Sequence, residues 1–281
     1  MSAPARRVWL FALSVVVSLG LCALLFRQIA AAEVGAVLAR AEPTALALAL
    51  GTALTVNLPL SALALGSALA AHGVKVPRLL AMKATLGHLA LHAGASFVVG
   101  KGARALYLAR VHGVDAKSAL GAELTLLGLK VLALLTVAAS GALLGGALWV
   151  LPCATLALLA AWVWMRRRGA TVAALAASFG WALGMGVGQL AVFALALRAL
   201  GLAIPAAALL AWFPLCLLGA KLPLAWLGLG LREALVVVLF RGSAPAEALL
   251  AASLVFSLLE QVLPGLLGLV FAPRFLARTL G

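Results

Sequence analysis

The sequence predicts an all-α polytopic membrane protein, with about six full transmembrane helices and two broken or re-entrant segments arranged as an inverted repeat. Two observations carry the class. Of 281 residues, 66% are hydrophobic and 10% charged, with a mean hydropathy of +1.21; soluble domains run at roughly 45–50% apolar and about 25% charged. Apolar runs of roughly 18 residues or more recur along the chain, enough for a helix to cross ~30 Å of hydrocarbon. These runs are continuous and rich in Leu and Ala, unlike the ~10-residue alternating segments of a barrel. A third observation, a pair of interrupted apolar segments, carries the repeat.

The first span is expected at Val8–Phe26, behind a basic segment with Arg6 and Arg7. That run is longer than the roughly 7–15 residues of a cleaved signal, and no clean small-residue cleavage site follows, so it reads as uncleaved. Further full spans are expected at Thr44–Ala71, Ser118–Ser140, Leu148–Met165, Thr171–Leu197 and Ala248–Phe271. Two apolar segments are interrupted: Leu79–Val99 contains Lys83, His88 and His92, and Ala206–Trp226 contains Pro214, Gly219, Lys221 and Pro223.

The formal charge of +14 would suggest nucleic acid in a soluble protein. In a membrane protein basic residues mark cytoplasmic loops instead, and no nucleic-acid partner is expected. If both interrupted segments crossed and the N-terminus lay inside, Lys101, Arg104, Arg110, Lys117 and Arg166–Arg168 would all fall outside. If each returns to the side it entered, those residues are cytoplasmic, and the outer loops keep Arg27, Arg40, Arg198 and Arg241. Charge parity therefore favours two re-entrant segments, entered from opposite sides, with both termini cytoplasmic in a plasma (inner) membrane. The chain reads as one integral membrane domain, 1–281, with repeat halves 44–140 and 171–271 and an extra N-terminal span within 1–43. Cys22, Cys153 and Cys216 lie inside apolar runs without metal-ligand spacing and read as small hydrophobes.

Each interrupted segment leads into a Gly-x-Gly-x-Arg cluster. Gly100-Lys-Gly102-Ala-Arg104 aligns with Gly228-Leu-Gly230-Leu-Arg232, and Gly113 with Ala119-Leu120 aligns with Gly242 and Ala248-Leu249. Interrupted helices at corresponding positions of two halves are a transporter signature, because irregular backbone at membrane depth must line protein or water. Charges at that depth are functional hypotheses by default. Glu123 and Lys130 share one helix face two turns apart, Glu260 lies mid-span, and Lys130 and Arg232 are expected to meet Glu123, Glu233 or Glu260 across the repeat interface. Arg104 and Arg232 are each expected to open a helix after a glycine turn, where guanidinium and backbone N–H groups could face one phosphate. Gly100, Gly102, Gly228, Gly230 and Lys221 complete that phosphate-binding expectation. His88 and His92, four residues apart, would share a face, but a metal needs more ligands; polar cavity lining is expected, with no metal or cofactor. No His follows His112, so Ser96 lacks a later base and no enzyme chemistry is expected.

On these two glycine clusters, and on Pro223 followed by Gly228-Leu-Gly230-Leu-Arg232-Glu233 above all, the chain resembles the transmembrane region of lysylphosphatidylglycerol synthases and their stand-alone, flippase-like relatives. It departs from that pattern at Gly102-Ala103, where the family carries an acidic residue before the first arginine. The resemblance implies membrane lipids as partners, and transfer of a phospholipid or lipid-linked headgroup between leaflets without the aminoacyl-transfer chemistry of the two-domain members. An alternative is a non-transporting scaffold for a glycosyltransferase or lipid-synthesis enzyme; a third is a small enzyme acting on headgroups.

Overall fold

The computed structural model describes residues 20, 23, 27, 29–94, 97–145, 171–221 and 230–270. Most of the span expected at Val8–Phe26 lies outside these residues. So do all of Leu148–Met165, Cys22, Cys153, Pro223 and Gly228. The protein is all-helical, 84% helix, with no strand among the described residues. Four of its helices are long and apolar enough to cross a membrane, which makes it an integral membrane protein by length and composition.

The elements in chain order are α1 (Ala31–Leu38), α2 (Pro43–Ala71), α3 (Arg78–Gly94), α4 (Phe97–His112), α5 (Ala116–Leu144), α6 (Val172–Ala199), α7 (Ala206–Gly219), α8 (Leu231–Leu239) and α9 (Ala246–Leu269). The candidate spans are α2, α5, α6 and α9, matching four of the expected spans to within a few residues. Pro43 opens α2 at a position where its missing N–H costs nothing. Asp115 caps α5, accepting from the Ser118 backbone N–H at 2.9 Å and from its hydroxyl at 3.2 Å. This cap starts α5 ahead of the apolar run that gave Ser118 as its start.

Two of the spans are wound more widely over one turn. A π-turn occupies Ala53–Asn57 in α2 and another Leu258–Val262 in α9. Each ends two residues before a proline, Pro59 and Pro264 respectively. A proline inside a helix removes one backbone donor and crowds the carbonyl four residues back. A widened turn relieves that crowding locally, and such turns recur at functional sites.

Between the spans lie shorter helices paired as hairpins. α3 packs on α4, and α7 on α8. At about 1.5 Å per residue, α3 is roughly 26 Å long, α7 roughly 21 Å and α8 roughly 14 Å, each short of a ~30 Å hydrocarbon layer. A Cβ added at Gly100 of α4 would lie 2.8 Å from His88 Nδ1 and 3.0 Å from the His88 carbonyl, so that glycine is what lets the two arms close.

Here the structure corrects an expectation. The first glycine cluster is not a turn that opens a helix: α3 ends at Gly94, α4 begins at Phe97, and Gly100, Gly102 and Arg104 lie inside α4. In apolar surroundings backbone hydrogen bonds favour continued helix, and an interior glycine costs only ~1 kcal/mol. The second cluster behaves as expected. Gly230, at φ 86°, is the N-cap of α8, and Arg232 follows in its first turn.

The helices cross-pack. α2 lies against α6; α7 lies against α5; α3 lies against the Leu263–Leu269 end of α9. Gly141 on α5 meets the backbone of Leu210 and Ala211 on α7, and Gly268 on α9 meets the carbonyl of Leu86 on α3, each so closely that no Cβ fits. The Ser178 hydroxyl of α6 donates to the Ala64 carbonyl of α2 at 3.0 Å. Apolar packing gathers in two main clusters. Leu65, Leu69, Leu108 and Leu126 centre one. The other surrounds Phe193, Phe213, Phe240 and Phe256, with Phe193 and Phe213 stacked at 3.9 Å.

Candidate functional site: a polar cavity among the spans

The charged side chains sort into two groups. The first consists of buried ion pairs. Arg104 is 1% exposed and Glu123 3%. The guanidinium grips both carboxylate oxygens, Nε on Oε1 and Nη2 on Oε2, the latter at 2.6 Å. This bidentate fork ties α4 to α5 across the Gly113 turn. Arg232, also 1% exposed, donates to Glu233 Oε1 at 2.8 Å and to the Ser257 hydroxyl on α9, and it lies 5.2 Å above the Phe256 ring. Glu233 in turn accepts from the Ser257 hydroxyl at 3.0 Å and from the Gly230 backbone N–H at 2.7 Å. Each arginine therefore fastens the second arm of its hairpin to the following span, Arg104 through the Glu123 carboxylate on α5 and Arg232 through the Ser257 hydroxyl on α9, with Glu233 as its counter-ion on the same helix. Burying either charge alone would be costly; pairing offsets this.

The second group lines a cavity of about 130 Å³ between the long helices. Asn57 and Ser61 come from α2, His88 from α3, Lys130 from α5, Gln189 from α6, Lys221 from the end of α7, and Glu260 from α9. Asn57 is the central residue of α2 and Lys130 the central residue of α5, both 29 residues long. The cavity therefore sits at mid-height of those helices. Asn57 lies in one π-turn and Glu260 in the other, and they touch: Asn57 Nδ2 donates to Glu260 Oε1. Gln189 Nε2 donates to Glu260 Oε2 at 3.3 Å. Lys130 Nζ reaches Ser61 Oγ at 3.4 Å. Two lysines and one glutamate give the lining a formal excess of one positive charge.

Of the residues singled out in the sequence, Lys130, Lys221, Glu260 and His88 converge on this cavity. Arg104, Arg232, Glu123 and Glu233 form the buried ties beside it, and Gly100 and Gly230 shape the hairpins that carry those ties, while Gly102 lies in α4 with open space where a Cβ would stand. Gly228 and the side chain of His92 lie outside the described residues. The expected pairings are met in part. Arg232 takes Glu233, one of its expected partners, though as its neighbour within α8, and Glu123 takes Arg104 in place of Lys130. Asn57 and Gln189 were not among the sequence candidates, although an amide inside an apolar run is itself a costly choice. No protein-family model matches the chain, and no curated protein matches it.

Proposed function

We propose that this protein moves a phospholipid or lipid-linked headgroup between the leaflets of a plasma membrane, in the manner of the flippase-like proteins it resembles. The observation that carries the reading is the net-positive cavity at the mid-height of the spans, lined from both halves of the chain. Neutral scaffolding needs no such cavity, and charges at membrane depth are retained where they act on a substrate. Lys130 and Lys221 are the phosphate-facing cations. Arg104 and Arg232 hold the hairpins in place and reach the phosphate only if their carboxylate ties open.

The cross-packing supports an inverted repeat. The first spans of the two halves, α2 and α6, pack on each other. The first arm of each hairpin, α3 or α7, packs on the last span of the other half, α9 or α5. Arg104 and Arg232, aligned by sequence, each hold a hairpin arm to the span that follows it, Arg104 on Glu123 of α5 and Arg232 on Ser257 of α9. In this reading each hairpin re-enters the side it came from, the termini are cytoplasmic, and the four candidate spans among the described residues are joined by the two expected from the sequence alone at Val8–Phe26 and Leu148–Met165. Rocking one half against the other would expose the cavity to one leaflet and then the other.

Lipid binding tests the reading before transport does. The protein extracted in mild detergent should retain anionic or lipid-linked lipids in native mass spectrometry, and K130Q/K221Q should lose them while R104K keeps them. Equal lipid retention by the lysine variant would remove the cavity from substrate recognition and favour the scaffold reading.

A further inference from the structure

We propose that Asn57, Gln189 and Glu260 form a binding site for a monovalent metal cation, sodium by preference, at the junction of the two π-turns. A carboxylate can only accept. Its two oxygens therefore turn the NH₂ groups of Asn57 and Gln189 inward. That orientation leaves Asn57 Oδ1 and Gln189 Oε1 buried with no hydrogen-bond partner among the described residues. Asn57 is 4% exposed, and both amides line the cavity. Buried acceptors are almost always satisfied. Gly188 backs this arrangement, since a Cβ there would collide with Asn57 Oδ1.

Two neutral oxygens beside one carboxylate are a hard-cation set, and the single negative charge matches an ion of single charge. A proton fits less well. Both oxygens of Glu260 already accept, so a hydroxyl there would have to displace an amide donor, and it would leave the orphan oxygens as they are. Interrupted helices serve coupling ions in this way in membrane transporters. Lys130 and Lys221 line the same cavity, so they repel the cation until a phosphate covers them. Anion and cation then favour each other, by the same factor in both directions. The site stands independently of the translocation reading; its coupling to a phosphate rests on that reading.

Equilibrium binding of ²²Na⁺ to the full chain in nanodiscs, with choline replacing sodium in the controls, tests the site directly. The expected result is one saturable site per chain, weakened about tenfold or more in N57A/Q189A and in G188A, and kept in G128A, where an added Cβ meets nothing within 4 Å, with the thermal midpoint of each variant reporting folding. Short-chain phosphatidic acid should raise sodium affinity by about 5- to 150-fold. Absence of saturable sodium binding, or binding unchanged in both N57A/Q189A and G188A, overturns the site. Translocation driven by a pH gradient, indifferent to sodium and lost in E260Q, overturns it in favour of a proton. Sodium binding without any lipid translocation would sink the transport reading and leave the site standing. Translocation without sodium binding would do the reverse.

Discussion

Arg104 and Glu123 are almost wholly withdrawn from solvent and face one another through two hydrogen bonds, so each is tolerable only because the other is there. Removing one partner of such a buried pair costs about 3–5 kcal/mol, whereas replacing both with apolar groups of similar volume is often neutral. R104M and E123L should each lower the thermal midpoint of the detergent-solubilised protein steeply, and R104M/E123L should recover most of the loss; additive losses in the double variant would refute a mutual tie. The sequence marked Glu123 as a costly charge and Arg104 as a phosphate-facing residue on the cytoplasmic side, and did not pair them. Spacing along one helix reveals which residues share its own face, and it linked Glu123 to Lys130. Arg104 reaches Glu123 only because the Gly113 turn folds α4 back on α5, a geometry that periodicity does not encode. Asn57 and Gln189 stayed unread for another reason: formal charge was the signal followed, and amides carry none.

The long spans were legible because Leu- and Ala-rich runs of that length have few other stable environments. Their ends were less so, since caps are polar and hydropathy discards them. Asp115 shows this: the backbone N–H of Ser118 holds its carboxyl below its usual value of 3.8. With the folded value depressed, the cap stabilises above the unfolded pKa and is lost as pH falls through the folded one. The difference in thermal midpoint between wild type and D115A should therefore be full near neutrality and shrink as pH drops below 3.8; a gap constant down to pH ~2 would contradict the cap. The hairpin breaks were misplaced around Gly100 because a glycine signals equally a turn or a close approach. In α4 it serves the approach of His88. Gly141 and Gly268 serve the same purpose between helices, so G141V and G268V should each cost about 1–3 kcal/mol or more through overpacking, while G128V, where nothing lies within 4 Å, should be near neutral in the same unfolding assay.

Taken together, the hairpin arms lean on spans distant in the chain, α3 on α9 and α7 on α5. That arrangement leaves a polar, net-positive space where the π-turns face each other, surrounded by ties that keep the hairpins in place. The polytopic class followed from composition alone, and of the two glycine clusters only the second marked the start of a helix. The cavity could not be read from the sequence, because its lining comes from six helices and no two of the named residues stand within one motif except Asn57 and Ser61. The central claim is that Lys130 and Lys221 carry a phosphate through this space. It is tested most directly by reconstituting wild type and K130Q/K221Q in proteoliposomes and following fluorescent phosphatidylglycerol by dithionite quenching. The account predicts protein-dependent translocation by wild type and a fall to the protein-free rate in the lysine variant, at equal reconstitution and thermal midpoint. Translocation by the lysine variant at the wild-type rate would contradict it.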